Sequence, residues 1–262
     1  MLGAIVGDIV GSFYENSRLK FYDVQLICTR SKFTDDTVMT LAVAEWLMSS
    51  GDKSKEDLVR IMQEFGRKYP KAGYGGRFIS WLESETPQPY NSWGNGSAMR
   101  VSPVGLYAHT LDEALRLAKL TAEVSHNHPA GIAGAQAMAA AVWMARNGYS
   151  KDDIREYIMG RFDYDLTRTI EEIRPDYQWD VSCQGSVPEA IIAFLDGKDF
   201  EDVMRLTVSL GGDADTQGAI AGSIAACVYP IPQWMADECA KRLPMHLLDC
   251  MERFENFIAS SR

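Results

Sequence analysis

Three glycines at intervals of four, Gly3, Gly7 and Gly11, run beside Ile5, Ile9 and Phe13, which repeat at the same interval. Side chains four apart share one face of a helix. An apolar stripe beside a glycine stripe therefore predicts a buried helix over residues 3–15, packed closely on another helix through its bare backbone. The remaining apolar residues keep the helical period. Val38, Leu41, Ala42, Ala44, Trp46 and Leu47 suit a buried helix running to Met48, and Leu58, Ile61, Met62 and Phe65 form one stripe of an amphipathic helix over 55–69. Further helices are expected over 111–124, 130–146, 190–195, 200–210, a small-residue stretch over 219–228, 232–243 and 245–258. No long alternating strand, repeat or linker interrupts them. The expectation is one all-α domain over 1–262, about a dozen helices packed as an irregular bundle.

With 262 residues, 46% of them hydrophobic, the chain has enough apolar material for one core. Its net charge of −10 opposes the basic stripe that a nucleic-acid backbone requires, so no nucleic-acid surface is expected. Five cysteines (Cys28, Cys183, Cys227, Cys239, Cys250) with no C-x-x-C suit a reduced, cytoplasmic protein without a disulfide framework. Asp8 and the lack of a basic flank exclude a secretory signal, and no apolar run reaches the roughly 20 residues of a membrane span.

Two acidic segments carry chemistry. Thr34-Asp35-Asp36-Thr37 and Gly211-Gly212-Asp213-Ala214-Asp215-Thr216 each open into an apolar run. Asp and Thr cap helix N-termini, which accounts for one such side chain per helix, or two. It does not account for the same set twice. If Thr34, Asp35, Asp36, Asp213, Asp215 and Thr216 converge, they offer four carboxylates and two hydroxyls, hard oxygen ligands that suit two Mg²⁺ or Mn²⁺ ions. Asp8, inside an apolar helix, needs a partner: either a structural hydrogen bond or a role in holding a ligand of the metal site. Glu15 ends the same segment. Residues 16–33 read as a long loop, either a lid or a disordered surface segment. Gly73 to Phe78 is a glycine-rich turn without the context of a dinucleotide fold. Asn95-Gly96-Ser97 alone reads as an ordinary turn with exposed backbone N–H groups, and Trp93 offers a face to stack on a base. His126 and His128, two apart, are poorly placed for zinc. Over 149–182 the aromatic residues offer no chemistry beyond an adenine shelf, and Ser186 with Glu189 matches a capping box.

Taken together, these segments resemble the ADP-ribosylglycohydrolase family. The two acidic motifs, the opening Gly3-Ala4-Ile5-Val6-Gly7-Asp8-Ile9-Val10-Gly11-Ser12-Phe13-Tyr14-Glu15, Asn95-Gly96-Ser97-Ala98-Met99-Arg100 and Ser125-His126-Asn127-His128-Pro129 follow the family's order, from about Gly3 to about Tyr229. The resemblance implies an orthogonal many-helix arrangement. It also implies metal-dependent hydrolysis of the glycosidic bond at C1″ of ADP-ribose, releasing ADP-ribose from a modified protein side chain, nucleic acid or small molecule. It places Glu15 at the metal site as a mobile ligand or acid/base group, with Asp36 beside it in the catalytic set. It assigns Asn95, Gly96, Ser97 and His126 to the diphosphate-ribose. Gln217-Gly218 departs from the small apolar residues many relatives carry there. The carboxylates alone leave two other activities open, a two-metal phosphoesterase or pyrophosphatase and a catalytically silent binder of ADP-ribose.

Overall fold

The computed structural model describes residues 1–49 and 51–260. In chain order the helices are α1 (Leu2–Ser12), α2 (Asp35–Met48), α3 (Lys55–Lys68), α4 (Gly76–Glu83), α5 (Gly96–Met99), α6 (Ser102–Tyr107), α7 (Leu111–Glu123), α8 (Pro129–Arg146), α9 (Lys151–Phe162), α10 (Ile170–Ile173), α11 (Cys183–Asp196), α12 (Phe200–Val208), α13 (Ala214–Ala225), α14 (Gln233–Ala240) and α15 (Met245–Ser260). No strand occurs among the described residues; a single antiparallel bridge joins Gly94 to Ser182. The all-α expectation holds, as an irregular bundle around one core. Among the described residues no helix is long and apolar enough to cross a membrane.

The centre of the bundle is the crossing of α1 and α13. A Cβ on Gly3 would lie 2.2 Å from the Gly222 carbonyl oxygen, one on Gly7 1.9 Å from that of Gly218, and one on Gly11 2.0 Å from that of Ala214. Backbone therefore rests on backbone, and each glycine of α1 is required by the space it leaves. Every residue of α13 is buried, which explains a helix built mostly of Ala, Gly and Ile. Gln217 fits there because its Nε2 donates to the Tyr177 hydroxyl, which donates onward to the Gly185 carbonyl. On the flanks, α2 packs against α1, α3, α6 and α15, and α8 lies against α7, α6, α5 and α11.

Several expectations need correction. α1 ends at Ser12, not at residue 15, so Glu15 stands in the following turn with its N–H on the Gly11 carbonyl. Ser186 and Glu189 form no capping box. Ser182 caps α11 by accepting from Gly185 N, Ser186 lies inside the helix, and Glu189 pairs with Arg168 at 2.8 Å. The helix expected over 190–195 begins at Cys183 instead, with Pro188 inside it. The stretch 149–182 holds α9 and α10, each opened by a real capping box: Ser150 with Asp153, and Thr169 with Glu172. Glycine-rich 73–78 is only partly a turn, because α4 begins at Gly76. Loop 16–33 is pinned in place: Lys20 Nζ donates to the Tyr177 carbonyl at 2.6 Å, and Arg242 donates to the carbonyls of Cys28 and Ser31.

The crossing sets a stability test. Gly7→Ala forces α1 and α13 apart and is expected to cost about 3 kcal/mol in urea unfolding. Gly160→Ala, in an exposed turn of α9 with nothing within 4 Å of the added carbon, should instead stabilise by about 1 kcal/mol. Equal effects of the two substitutions would contradict the packing described.

Candidate active site

The α1–α13 crossing brings three acidic stretches together. Thr34 caps α2, its Oγ1 accepting from Asp36 N at 3.2 Å. Capping thus accounts for the threonine but leaves both carboxylates of the motif unexplained. Asp213 occupies the corresponding position on α13 yet its side chain does not cap the helix. Its Oδ2 instead accepts from Asn95 Nδ2 at 2.6 Å. Asp8, from α1, lies beneath the start of α2 and accepts four hydrogen bonds: Thr34 N at 2.9 Å, Thr34 Oγ1 at 2.7 Å, Thr37 N at 3.1 Å, and a short one from Thr37 Oγ1. The two readings of Asp8 merge, because its structural hydrogen bonds are the ones that hold the acidic segment in place.

Asp8, Asp36 and Asp215 each offer an oxygen within 4.8 Å of the others, and Glu15, Asp213 and Asp215 form a second such set. Asp215 belongs to both. The buried Asp36 Oδ1 has no hydrogen-bond partner. Burial, then the charges of Asp8 and Asp35, hold Asp36 well above the usual carboxylate range, and burial with Asp36 and Asp213 does the same to Asp215. Burial and Asp8 push Asp35 up to about 7; burial pushes Asp8 up to about 6 against its four hydrogen bonds. Glu15, half-buried in the turn after α1, is raised by burial and by Asp213 and lowered by Lys32. Carboxylates this crowded, one with an unpaired oxygen, have the donor set of a hard divalent cation, which would relieve the repulsion among them.

All of these but Asp8, which lies behind the wall, line one cavity of about 550 Å³. Besides the carboxylates, cationic and neutral groups line it: Lys32, Arg77, Asn95, Gly96, Arg100 and His126. Gly73, at φ +116°, lets the backbone turn beside Asp35, whose N–H bonds the Ala72 carbonyl. At the mouth stand Trp93 and Trp179, each about half exposed (49% and 46%). The bridge of Gly94 to Ser182 brings residues 179–183 to the loop, with Asn95 N on the Val181 carbonyl and Cys183 N on that of Trp93.

A sequence profile of the ADP-ribosylglycohydrolase family matches residues 1–259. The chain belongs to that family. It is similar to human ADP-ribosylhydrolase ARH3, 26% identical across 89% of this chain and 85% of the relative, and to ADP-ribosylarginine hydrolase Tri1 of Pseudomonas putida, 24% identical across 90% and 72%. A solved structure described as an ADP-ribosylglycohydrolase-related protein complex superposes with a TM-score of 0.66 and 26% identity, covering 98% of this chain and 94% of that one. The protein is thus a glycohydrolase, and the chemistry of its family is hydrolysis at ADP-ribose.

The family's motif residues do not all reach the cavity in the same way. Glu15, Thr34, Asp35, Asp36, Asn95, Gly96, His126, Asp213, Asp215 and Thr216 line it. Ser97 does not: its hydroxyl is buried and donates to the Gly131 carbonyl at 2.7 Å, tying the loop to α8. A Cβ on Gly96 would stand 3.1 Å from His126 Nε2, so glycine leaves room for the imidazole. His128 turns away and caps α8, its Nδ1 accepting from Ala130 N. Sequence reasoning missed the part of Arg100, Arg77, Phe78 and Tyr90 in the wall. Arg100 stood inside a quoted motif, but nothing in the sequence marked it as buried.

Asp8 and Asp36 should respond oppositely when metal-free protein is unfolded. Asp8→Ala strands four donors and is expected to cost about 3 kcal/mol or more. Asp36→Ala removes a crowded, half-unpaired carboxylate and should gain about 1 kcal/mol, as functional sites often do when dismantled. Matching losses in both variants would contradict this division between support and site.

Proposed function

We propose that this glycohydrolase cleaves the glycosidic bond at C1″ of ADP-ribose in an ADP-ribosylated substrate, using two Mg²⁺ or Mn²⁺ ions held by Thr34, Asp35, Asp36, Asp213, Asp215 and Thr216. The observation that carries the reading is the meeting of Asp36, with its unpaired buried Oδ1, and Asp215, shared by both carboxylate sets, on one side of a nucleotide-sized cavity. When bound, such ions orient a ribose diol and supply the Lewis acidity that activates water.

The chain's own residues do the rest. Asn95 fixes Asp213 through the 2.6 Å hydrogen bond. Glu15 stands in a turn rather than on a helix, and its raised proton affinity suits a carboxyl that takes and returns a proton during attack on an oxocarbenium-like centre. Gly96 and His126 face the diphosphate, since an acidic protein binding a dianion needs local donors and these two line the cavity. Trp93 and Trp179 cover the base at the mouth. The five cysteines are free, which supports a reduced compartment such as the cytoplasm. The likeness to an ADP-ribosylarginine hydrolase of Pseudomonas makes an ADP-ribosylated arginine one substrate to test first, beside O-linked protein, nucleotide and small-molecule conjugates.

A panel of defined ADP-ribosylated substrates with product analysis tests the reading. Free ADP-ribose is the expected product. AMP with ribose phosphate would instead indicate diphosphate cleavage, and tight ADP-ribose binding without turnover a silent binder. Asp36→Ala and Asp215→Ala should abolish activity with helical content retained, and Glu15→Gln should lower kcat by ~10²-fold while ADP-ribose still binds. Wild-type turnover in Glu15→Gln would remove Glu15 from the mechanism. Mg²⁺ at a hundred times its Kd should stabilise the wild type by about 2.7 kcal/mol, or about 5–10 °C in Tm, and leave Asp215→Ala unmoved.

A further inference from the structure

Arg100 is buried to 1% exposure, yet no ion pair among the described residues includes it. Its guanidinium lies 5.7 Å from the centroid of the Phe78 ring, Nε has no hydrogen-bond partner, and one terminal nitrogen donates to the Thr121 carbonyl at 2.8 Å and to Ser125 Oγ at 2.9 Å. Burial pushes it down to about 10, so it remains a cation near neutral pH. A buried cation on a cavity wall, without a counter-charge, favours an anion in the space beside it.

Ser125 passes this arrangement on. It is fully buried, and its hydroxyl touches two groups: the Arg100 nitrogen and His126 Nδ1 at 2.8 Å. The guanidinium can only donate, so Ser125 Oγ accepts from it. The Ser125 proton then has one acceptor within reach, His126 Nδ1; placed elsewhere it would be a buried donor without a partner. Nδ1 must therefore be unprotonated, and the imidazole carries its hydrogen on Nε2. That nitrogen faces the loop, 3.1 Å from where a Cβ on Gly96 would stand and 3.7 Å from one on Gly94.

We propose that Arg100 and Ser125 are positioning residues that lock His126 in the Nε2–H tautomer, so that its free N–H enters the cavity as a donor to a diphosphate oxygen of the substrate. The inference rests on the proposed placement of ADP-ribose. Burial and the nearby Arg100 cation both hold His126 well below its usual range, which keeps the ring neutral, with a single proton to direct. Without the Ser125 hydroxyl the ring is free to carry its hydrogen on Nδ1, and Nε2 would then present a lone pair to a phosphate oxygen, which repels it.

The test is a two-bond ¹H–¹⁵N correlation spectrum of protein labelled at histidine, with the four histidines distinguished by a His126→Gln variant. The wild type is expected to show His126 as the Nε2–H tautomer; an Nδ1–H or doubly protonated ring in the wild type overturns the proposal whatever the Ser125 variant does. Ser125→Ala should populate the Nδ1–H form and weaken ADP-ribose binding in calorimetry with Mg²⁺ by about tenfold, the scale of one hydrogen bond. In the His126→Gln background the Ser125 substitution should have no further effect on binding, which separates the relay from a general loosening of the fold. An unchanged tautomer in Ser125→Ala, or a changed tautomer with wild-type affinity, overturns it. Failure of the wild type to bind ADP-ribose at all would instead sink the substrate placement, while the spectrum still decides the tautomer.

Discussion

The contact on which the rest of the structure depends is the backbone-to-backbone crossing of α1 and α13. Glycine at positions 3, 7 and 11 lets α1 lie within van der Waals reach of the carbonyls of Gly222, Gly218 and Ala214. Ala214 and Asp215 form the first turn of α13, so the Gly11 contact fixes where that helix begins. The same helix, α1, carries Asp8, whose carboxylate gathers Thr34 and Thr37 and so fixes the start of α2. One helix thus sets the position of two others, and the acidic motifs meet because of packing rather than attraction. Packing is the interaction that can do this, since carboxylates left to themselves repel.

That repulsion shapes the cavity. The carboxyls at and beneath it sit in a largely buried setting, and burial is the leading cause of their raised proton affinity. Arg77, Arg100, Asn95 and His126 line the same cavity. A ligand with a polyol at one end and a diphosphate in its middle matches this polarity, provided divalent cations offset the carboxylates. The net charge of −10 makes the arrangement more demanding, because a dianion approaching an acidic surface gains only from local donors. Arg100 is one such group, a buried cation in the cavity wall rather than at the surface.

Much of this was legible in the sequence because it rested on periodicity and on residue types with few other uses. The glycine interval in α1, the apolar runs of α2 and α13 and the doubled acidic motif each state a local requirement. What could not be read was non-local. Whether Asp213 caps its helix or turns to Asn95 depends on a loop 118 residues away. The Gly94–Ser182 bridge, which brings Trp179 to the mouth beside Trp93, leaves no trace in either segment alone. Ser97 looked like its neighbours Asn95 and Gly96, yet one step along a short helix turned its side chain to Gly131. Local signals also mark α9 and α10, in Ser150-x-x-Asp153 and Thr169-x-x-Glu172, whereas the same pattern at Ser186 and Glu189 falls inside α11.

The central claim is that the packed crossing builds a binuclear cation site from carboxylates of two distant motifs. Anomalous diffraction from crystals grown with Mn²⁺ tests it most directly. Two peaks are predicted, both within bonding distance of Asp215 oxygens, one reaching Asp36 and the other reaching Asp213 or Glu15. A cavity with no anomalous density at saturating Mn²⁺, or density held by surface carboxylates away from Asp36 and Asp215, would contradict the account.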